Sequence, residues 1–521
     1  MKFHRNTASA IMFAAALSLT ACSAGGEKTD VTQRAPKETE AGMGELISEL
    51  KGEEAKEPMK GDNQALVEIG TAQELEQFRD RVNEGEAALD AVLTADIDLS
   101  SVCGADAGNW VPFEEYNGVF DGGGHEISGL YIEAEEGDGA LFQTIGYTGI
   151  VKDLGIAGAR IQVPGTAAAL AIRNEGIVEN CFSRDGQLKG HEAMGLLRES
   201  AEESSVSGCY VTGSVEGKGR AAGIVGFTYS AELSGCRNEA GIITTEQSGC
   251  AAGIAGSVQN SRVENCSNSG TVDGAWDTGG VIGGASEQSM ITGCCNTAAV
   301  TGKGRTAGVA AMLGQSVIDR CYNTGYVSGV NAVAGILAMT KGSTPQTKCV
   351  VANCFNRGEI SADQLCAGIS LGGNCVIVNN YSRGSVLSGN NGIYGAAGLS
   401  DRGGIMSGDE VETFLYNGYS ACTLSEKAGG LSYSDTMTEM DSVFYQSDTA
   451  VGYYFNRRDG VQDTSFAVSE EQLTGREILD QLNAYVDGHP ALPEGCAEGA
   501  EEVVLDKWKT GNDGYPVFEW E

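Results

Sequence analysis

Hydrophobic and polar positions alternate in short bursts along most of this chain, and the bursts recur. In Cys321-Tyr322-Asn323-Thr324-Gly325-Tyr326-Val327, alternation puts Cys321, Asn323, Gly325 and Val327 on one face. Tyr322, Thr324 and Tyr326 fall on the other, the period of two of a β-strand. The frame returns at Cys209, Cys266 and Cys354. Cys236 and Cys294 open two more copies with Ala240 and Ala298 at the glycine position, and Cys181 opens an irregular one. In the last copy Asn380 stands where the cysteine was. Successive cysteines are 28, 27, 30, 28, 27 and 33 residues apart. A second block keeps time with the first: Ala222-Gly223-Ile224, Ala252-Gly253-Ile254, Gly279-Gly280-Val281, Ala307-Gly308-Val309, Ala334-Gly335-Ile336, Ala367-Gly368-Ile369 and Ala397-Gly398-Leu399.

Neither run can bury its apolar face alone, whereas stacked units would bury a continuous core. Helical repeats are disfavoured, because each glycine would cost a helix about 1 kcal/mol. A unit of this length with two or three short strands fits one coil of a parallel β-helix. At about 4.8 Å per coil, ten or so coils make a rod of about 50 Å. The register predicts like-on-like columns. Cys209, Cys236, Cys266, Cys294, Cys321 and Cys354 form one, and Asn238, Asn268, Asn296, Asn323 and Asn356 form another, bonded amide to amide. The Gly/Ala column permits turns or close approach. Thiols pointing the same way in register suit a disulfide poorly, so any bridge is expected off the column, among Cys349, Cys366 and Cys375.

The ends differ from the middle. Residues 1–21 read as a signal peptide: Lys2 and Arg5, then an apolar run from Ala10 to Leu19 too short to span a bilayer. The sequence Leu19-Thr20-Ala21-Cys22 resembles the bacterial lipoprotein signal, and that resemblance implies lipidation of Cys22. Residues 22–64 are rich in Glu, Lys and Gly and read as a flexible acidic tether. Residues 65–400 hold the β-helix. Thr71-Ala72-Gln73-Glu74 has the form of a capping box, followed by Leu75, Phe78 and Val82 on one helical face, which predicts an N-terminal capping helix. Ala91 to Leu99 reads as the first strand. Residues 401–521 form a C-terminal extension and mixed cap, with strands near Phe414 and Val443, a helix over Ser469 to Val486, and a terminal strand or cap near Trp508 to Trp520.

The Phe120-Asp121-Gly122 opening, the step Ala140-Leu141-Phe142 and the cysteine–asparagine repeats resemble bacterial surface proteins with GLUG-type repeats. The resemblance spans about residues 66 to 400 and departs from the strict motif at Gly195-Leu196-Leu197-Arg198. It implies an all-β, right-handed parallel β-helix of the pectate-lyase-like class. Such repeats occur in adhesin-like proteins and in some immunoglobulin-cleaving proteases.

Composition narrows the chemistry. The net charge of −37, from 71 acidic and 34 basic side chains, disfavours nucleic acid. Four histidines are present, and neither His125-Glu126 nor His191-Glu192 continues into H-E-x-x-H. No phosphate loop or calcium nonapeptide appears. Single cysteines lack the paired spacing that zinc favours. Asp96, Asp98 and Asp121 are carboxylates near the N-terminal end, but Asp-Gly turn chemistry accounts for them better than catalysis. No catalytic, metal or cofactor site is assigned. One constellation remains: Phe182, Tyr210, Tyr322, Phe355 and Tyr381 follow the column positions and point outward by parity, interrupted by Arg237, Ser267 and Cys295. Tyr210, Tyr322, Phe355 and Tyr381 are the candidate binding residues, set against the alternative that they lie under the C-terminal segment. The expectation is an exported, lipid-anchored, non-catalytic β-helix binding a glycan or a host or bacterial surface protein. It would touch the membrane only through its N-terminal lipid. The alternative is a polysaccharide lyase or glycoside hydrolase on the same fold.

Overall fold

The computed structural model describes residues 66–341, 347–389, 396–399, 413–425, 428–432, 439–448, 451–453 and 462–521. The signal segment, the tether and Cys22 lie outside the described residues. What is described is mostly short strands, stacked in parallel as a β-solenoid. Forty-three of them hydrogen-bond into one continuous network, and nine more form a second parallel sheet. Each strand pairs with its counterpart one repeat away, as in Ser267↔Cys295, Cys295↔Tyr322 and Tyr322↔Phe355. Valines, isoleucines and leucines of every coil share one buried core.

The expected columns form. Cys209, Cys236, Cys266, Cys294, Cys321 and Cys354 are buried free thiols. The amides of Cys266, Cys294 and Cys321 each donate to the sulfur one coil on, at 3.4 Å. At the end of the column Asn380 Oδ1 accepts from the Cys354 amide at 2.7 Å, so asparagine replaces cysteine by doing the same job. The residue before each column position is left-handed: Gly235 at φ 62°, Asn265 at 53°, Gly293 at 65°, Arg320 at 50° and Asn353 at 51°. That kink turns the next amide out of the strand ladder, and the sulfur supplies its acceptor.

The asparagine column is a continuous hydrogen-bonded ladder. Asn238, Asn268, Asn296 and Asn323 each donate Nδ2 to the Oδ1 of the next member at 2.8 Å, ending on Asn356. Each Nδ2 also donates to a carbonyl two residues along its own chain. The ladder explains the glycine of the second block. A Cβ on Gly253 would lie 2.1 Å from the Gly280 carbonyl oxygen and 2.4 Å from Asn268 Cγ.

The flanks depart from expectation in detail. A strand, Val67–Ile69, precedes the helix α1 (Ala72–Asn83) and pairs with Ala91–Leu93, so Ala91 does not open the first strand. Thr71 Oγ1 accepts from the Glu74 amide, but Glu74 Oε2 accepts from Gly70 rather than Thr71. Leu75, Phe78 and Val82 are buried, with Phe78 against Phe113, Tyr116 and Phe120. Parallel pairing also continues past residue 400. Thr413–Ser420 stacks on Cys375–Ser382, Glu439–Gln446 stacks on Thr413–Ser420, and Gln462–Val468 follows. The cysteine signature fades there while backbone register persists. The expected single helix over Ser469 to Val486 is two, α2 (Glu470–Leu473) and α3 (Arg476–Gly488), with Gly475 as the N-cap of α3. The tail ends in an antiparallel hairpin, Trp508–Thr510 with Pro516–Phe518.

Candidate functional site

The aromatic stripe is real, but its C-terminal part is covered. Phe182 stacks on Tyr210 at 4.6 Å between centroids. Tyr322, Phe355, Tyr381 and Tyr419 stack in sequence at 4.9, 5.0 and 5.2 Å. Phe355 and Tyr381 are only 4% and 0% exposed, which corrects their expected outward display. The C-terminal segment lies over them, with Trp520 against Tyr322 and Phe355, and Trp508 and Phe518 against Tyr381. Arginines from four coils fasten it: Arg262 to Glu502, Arg320 to Asp506, Arg357 to Glu521, and Arg383 to Asp513. A second asparagine ladder, Asn353–Asn379–Asn417, joins in. Asn353 bonds the Val504 carbonyl and Asn379 the Asp506 carbonyl. Burial pushes the Asp319 carboxyl up to about 6, against the pull of the Asn353 hydrogen bond. Of the candidate residues, Tyr210 and Tyr322 remain part-exposed. The Tyr322 hydroxyl is pushed up to about 12, first by its hydrogen bond with Cys295 and then by burial.

The N-terminal carboxylates serve turns. Asp96 Oδ1 accepts from the Glu126 amide, Asp98 Oδ1 from the Ser100 amide, and Asp121 from the Gly123 amide while pairing with Lys152 at 2.7 Å. The Ser100 amide holds the Asp98 carboxyl below its usual value. Among the described residues, no three His, Cys, Asp or Glu side chains converge as a metal site would require.

A second feature was missed by the sequence reading. Ala221 and Ala251 point into the core, so Arg220 and Ala222, and Cys250 and Ala252, point outward. Yet Ala222 and Ala252 are fully buried. They lie in a concave seam where the main network meets the nine-stranded sheet. One wall is the register column Glu192, Arg220, Cys250, then Asp277 and Arg305. The other is Phe227, Ser257, Gly284, Met312 and Met339. The walls touch across the seam: the Arg220 guanidinium lies 3.9 Å from the Phe227 centroid, and Arg305 Nη1 lies 3.9 Å from Met339 Sδ.

Charges in the seam are mostly paired. Arg305 holds both Asp277 oxygens at 2.5 and 3.0 Å. Burial raises the Asp277 carboxyl, and Arg305 opposes it. Cys250 Sγ sits 3.9 Å from Asp277 Oδ2, and its thiol is pushed up by burial and then by that carboxylate. Arg198 donates to Glu192 at 2.9 Å and to Glu199 at 3.1 Å. At the head of the seam a pocket of about 360 Å³ is lined by Asp138, Thr166, His191, Glu192 and Arg198, among others. There Asp138 Oδ1 accepts from the Thr166 amide at 2.6 Å. Residues two places before each Ala-Gly or Gly-Gly pair vary in charge, the one signal in the sequence that could have marked this wall.

The chain thus carries GLUG-type repeats on a parallel β-solenoid. The GLUG motif matches residues 247–273, the stretch holding Cys250, Gly253 and Asn268. Among curated proteins, a candidate Gly-rich membrane protein of Evansella cellulosilytica is 32% identical over 127 residues. That match covers 23% of this chain and 14% of that protein, so the chain spans a small part of the relative's length. Among solved structures, a candidate immunoglobulin A1 protease from Bacteroides ovatus aligns over 87% of this chain and 92% of its own. The identity is 14% and the TM-score 0.21. No helix among the described residues is long and apolar enough to cross a membrane.

Proposed function

We propose that this protein is a lipid-tethered, surface-displayed β-helix that binds a glycan or protein partner without catalysis. One observation carries the binding part of the reading. The seam is a concave face bridged at Arg220–Phe227 and Arg305–Met339, whose ionisable groups are largely neutralised in pairs, which suits recognition better than proton transfer. The tether part rests on the Cys22 signal and on the likeness to a relative whose name describes a membrane protein. The test has two halves. Cells expressing the full chain are fractionated and labelled with a fatty acid: label and membrane association are expected for the wild type and lost in Cys22→Ser. The purified protein is screened against neutral and acidic glycans for both binding and cleavage, with binding and intact glycan expected. A second reading, polysaccharide cleavage, draws support from Asp138, His191, Glu192 and Arg198 lining one pocket. Turnover of any glycan in the screen, lost in Glu192→Gln, would establish it instead.

A further inference from the structure

Arg220 differs from the other arginines of the seam. Its Nη1 is buried and makes no hydrogen bond. Among the described residues no carboxylate lies within ion-pairing distance of it. Glu192, its register neighbour, is held by Arg198, and Cys250, its neighbour on the other side, carries a thiol. Asp277, one coil further, is held by Arg305. Nη1 is covered beside the Phe227 ring, so an incoming anion would meet the other guanidinium nitrogens and supply this cation with an opposite charge.

Two coils away Trp276 is 46% exposed. The chain above and below it is glycine: the Trp276 amide bonds the Gly249 carbonyl, and Gly304 lies against the Trp276 backbone. Its ring therefore stands clear of side chains on its own column, with the Arg305 guanidinium 5.8 Å from its centroid. Two coils are about 10 Å, near the length of a disaccharide.

We propose that the seam binds a glycan bearing one carboxylated sugar, the carboxylate pairing with Arg220 and a neighbouring pyranose stacking on Trp276. The inference rests on the binding reading above and names its ligand class. A peptide strand fits less well, because the strands on both walls are already paired on each side and offer no edge to extend. A polyuronate also fits less well. It would set a row of carboxylates beside Glu192, Asp277 and Glu246 on a chain of net charge −37.

The test titrates the full soluble chain with sialyllactose, its carboxamide, lactose and a polyuronate oligomer, by calorimetry at fixed salt. Sialyllactose is expected to bind, with affinity reduced about tenfold or more for the carboxamide and for lactose. Arg220→Gln and Trp276→Ala should each weaken sialyllactose to a similar degree. Arg237→Gln, on another face, should leave it unchanged. The polyuronate should bind no better than lactose. Equal affinity for sialyllactose and its carboxamide, or an unchanged Arg220→Gln, overturns the inference while leaving glycan binding in place. Tighter polyuronate binding overturns it in favour of a polyanion site. Absence of binding to every probe overturns it, and the wider screen then decides the binding reading separately.

Discussion

Asn296 sits in the middle of the amide ladder, fully buried. Its Nδ2 donates to Asn323 Oδ1 at 2.8 Å and to the Ala298 carbonyl at 2.9 Å, and its Oδ1 accepts from Asn268 at 2.8 Å. Asn296→Ala removes all three bonds. Asn268 keeps its bond to the Gly270 carbonyl, but Asn323 Oδ1 and the Ala298 carbonyl lose their donor. Each orphaned buried acceptor costs about 1 to 3 kcal/mol, and the vacated amide leaves a small void. The expected loss is about 3 to 6 kcal/mol. Asn296→Asp preserves shape while replacing the donor by an oxygen. At neutral pH it should be worse than alanine, because it buries a carboxylate facing Asn323 Oδ1. Its folded-state pKa would be raised, so stability should recover as the pH falls and the carboxyl becomes protonated. Equilibrium urea unfolding at pH 7.5 and pH 5 measures both effects, and amide hydrogen exchange over residues 263–336 localises them. An alanine variant within about 1 kcal/mol of wild type, or an aspartate variant insensitive to acid, would refute the ladder as a stabilising device.

Other outcomes follow from the same geometry. Gly280→Ala should destabilise strongly, since its Cβ would meet the Gly308 carbonyl oxygen at 2.2 Å and Asn296 Cγ at 2.6 Å; thermal unfolding reads the effect. Asp319 is pushed up to about 6 from 3.8, so its protonated form is favoured in the fold. That contribution is fully present below about pH 4 and is lost as the pH rises through about 6. Asp319→Asn should therefore stabilise by up to about 3 kcal/mol at pH 7.5, while Asn353 keeps an acceptor. A gap in urea midpoint that fails to shrink toward pH 4 would contradict this. Removing residues 490–521 should uncover Phe355, Tyr381 and Tyr419 and raise binding of a hydrophobic dye, whereas unchanged fluorescence would show that the aromatic column is not covered in solution. In the chain from residue 66, a thiol reagent should react first with part-exposed Cys250, Cys295 and Cys496. The column thiols should react only on unfolding, since burial pushes Cys294 and Cys321 well above the usual thiol range.

The architecture was legible because a solenoid writes its contacts into its period. Cys266 and Cys294, or Asn268 and Asn296, touch one repeat away, so alignment of the sequence on itself reads the packing directly. Close approach was legible for the mixed Gly/Ala column, but the glycines at 253 and 280, and the asparagine amide that they admit, were not singled out. The left-handed column passed unnoticed because Gly, Asn and Arg share no side-chain chemistry at those positions, only a φ. Beyond residue 400 the coils were hard to see because backbone pairing needs no particular side chain. The cover over Tyr381 was open as an alternative but not decided, since Arg357 and Glu521 lie 164 residues apart. The seam at Arg220 was missed for the opposite reason to the ladders: a site made of differing residues on successive coils leaves no repeat.

Distances along one exposed file test the stacked-coil account most directly. Gln162, Lys189, Glu216, Ile243, Asp273, Thr301, Ser328 and Ser361 follow one another in register. Spin labels at Gln162 paired with Asp273, Thr301 or Ser361, with Cys250, Cys295 and Cys496 replaced, are read by pulsed electron paramagnetic resonance. The account predicts separations of about 19, 24 and 34 Å, rising by about 4.8 Å per coil. Distances that do not grow in proportion to the number of coils would contradict it.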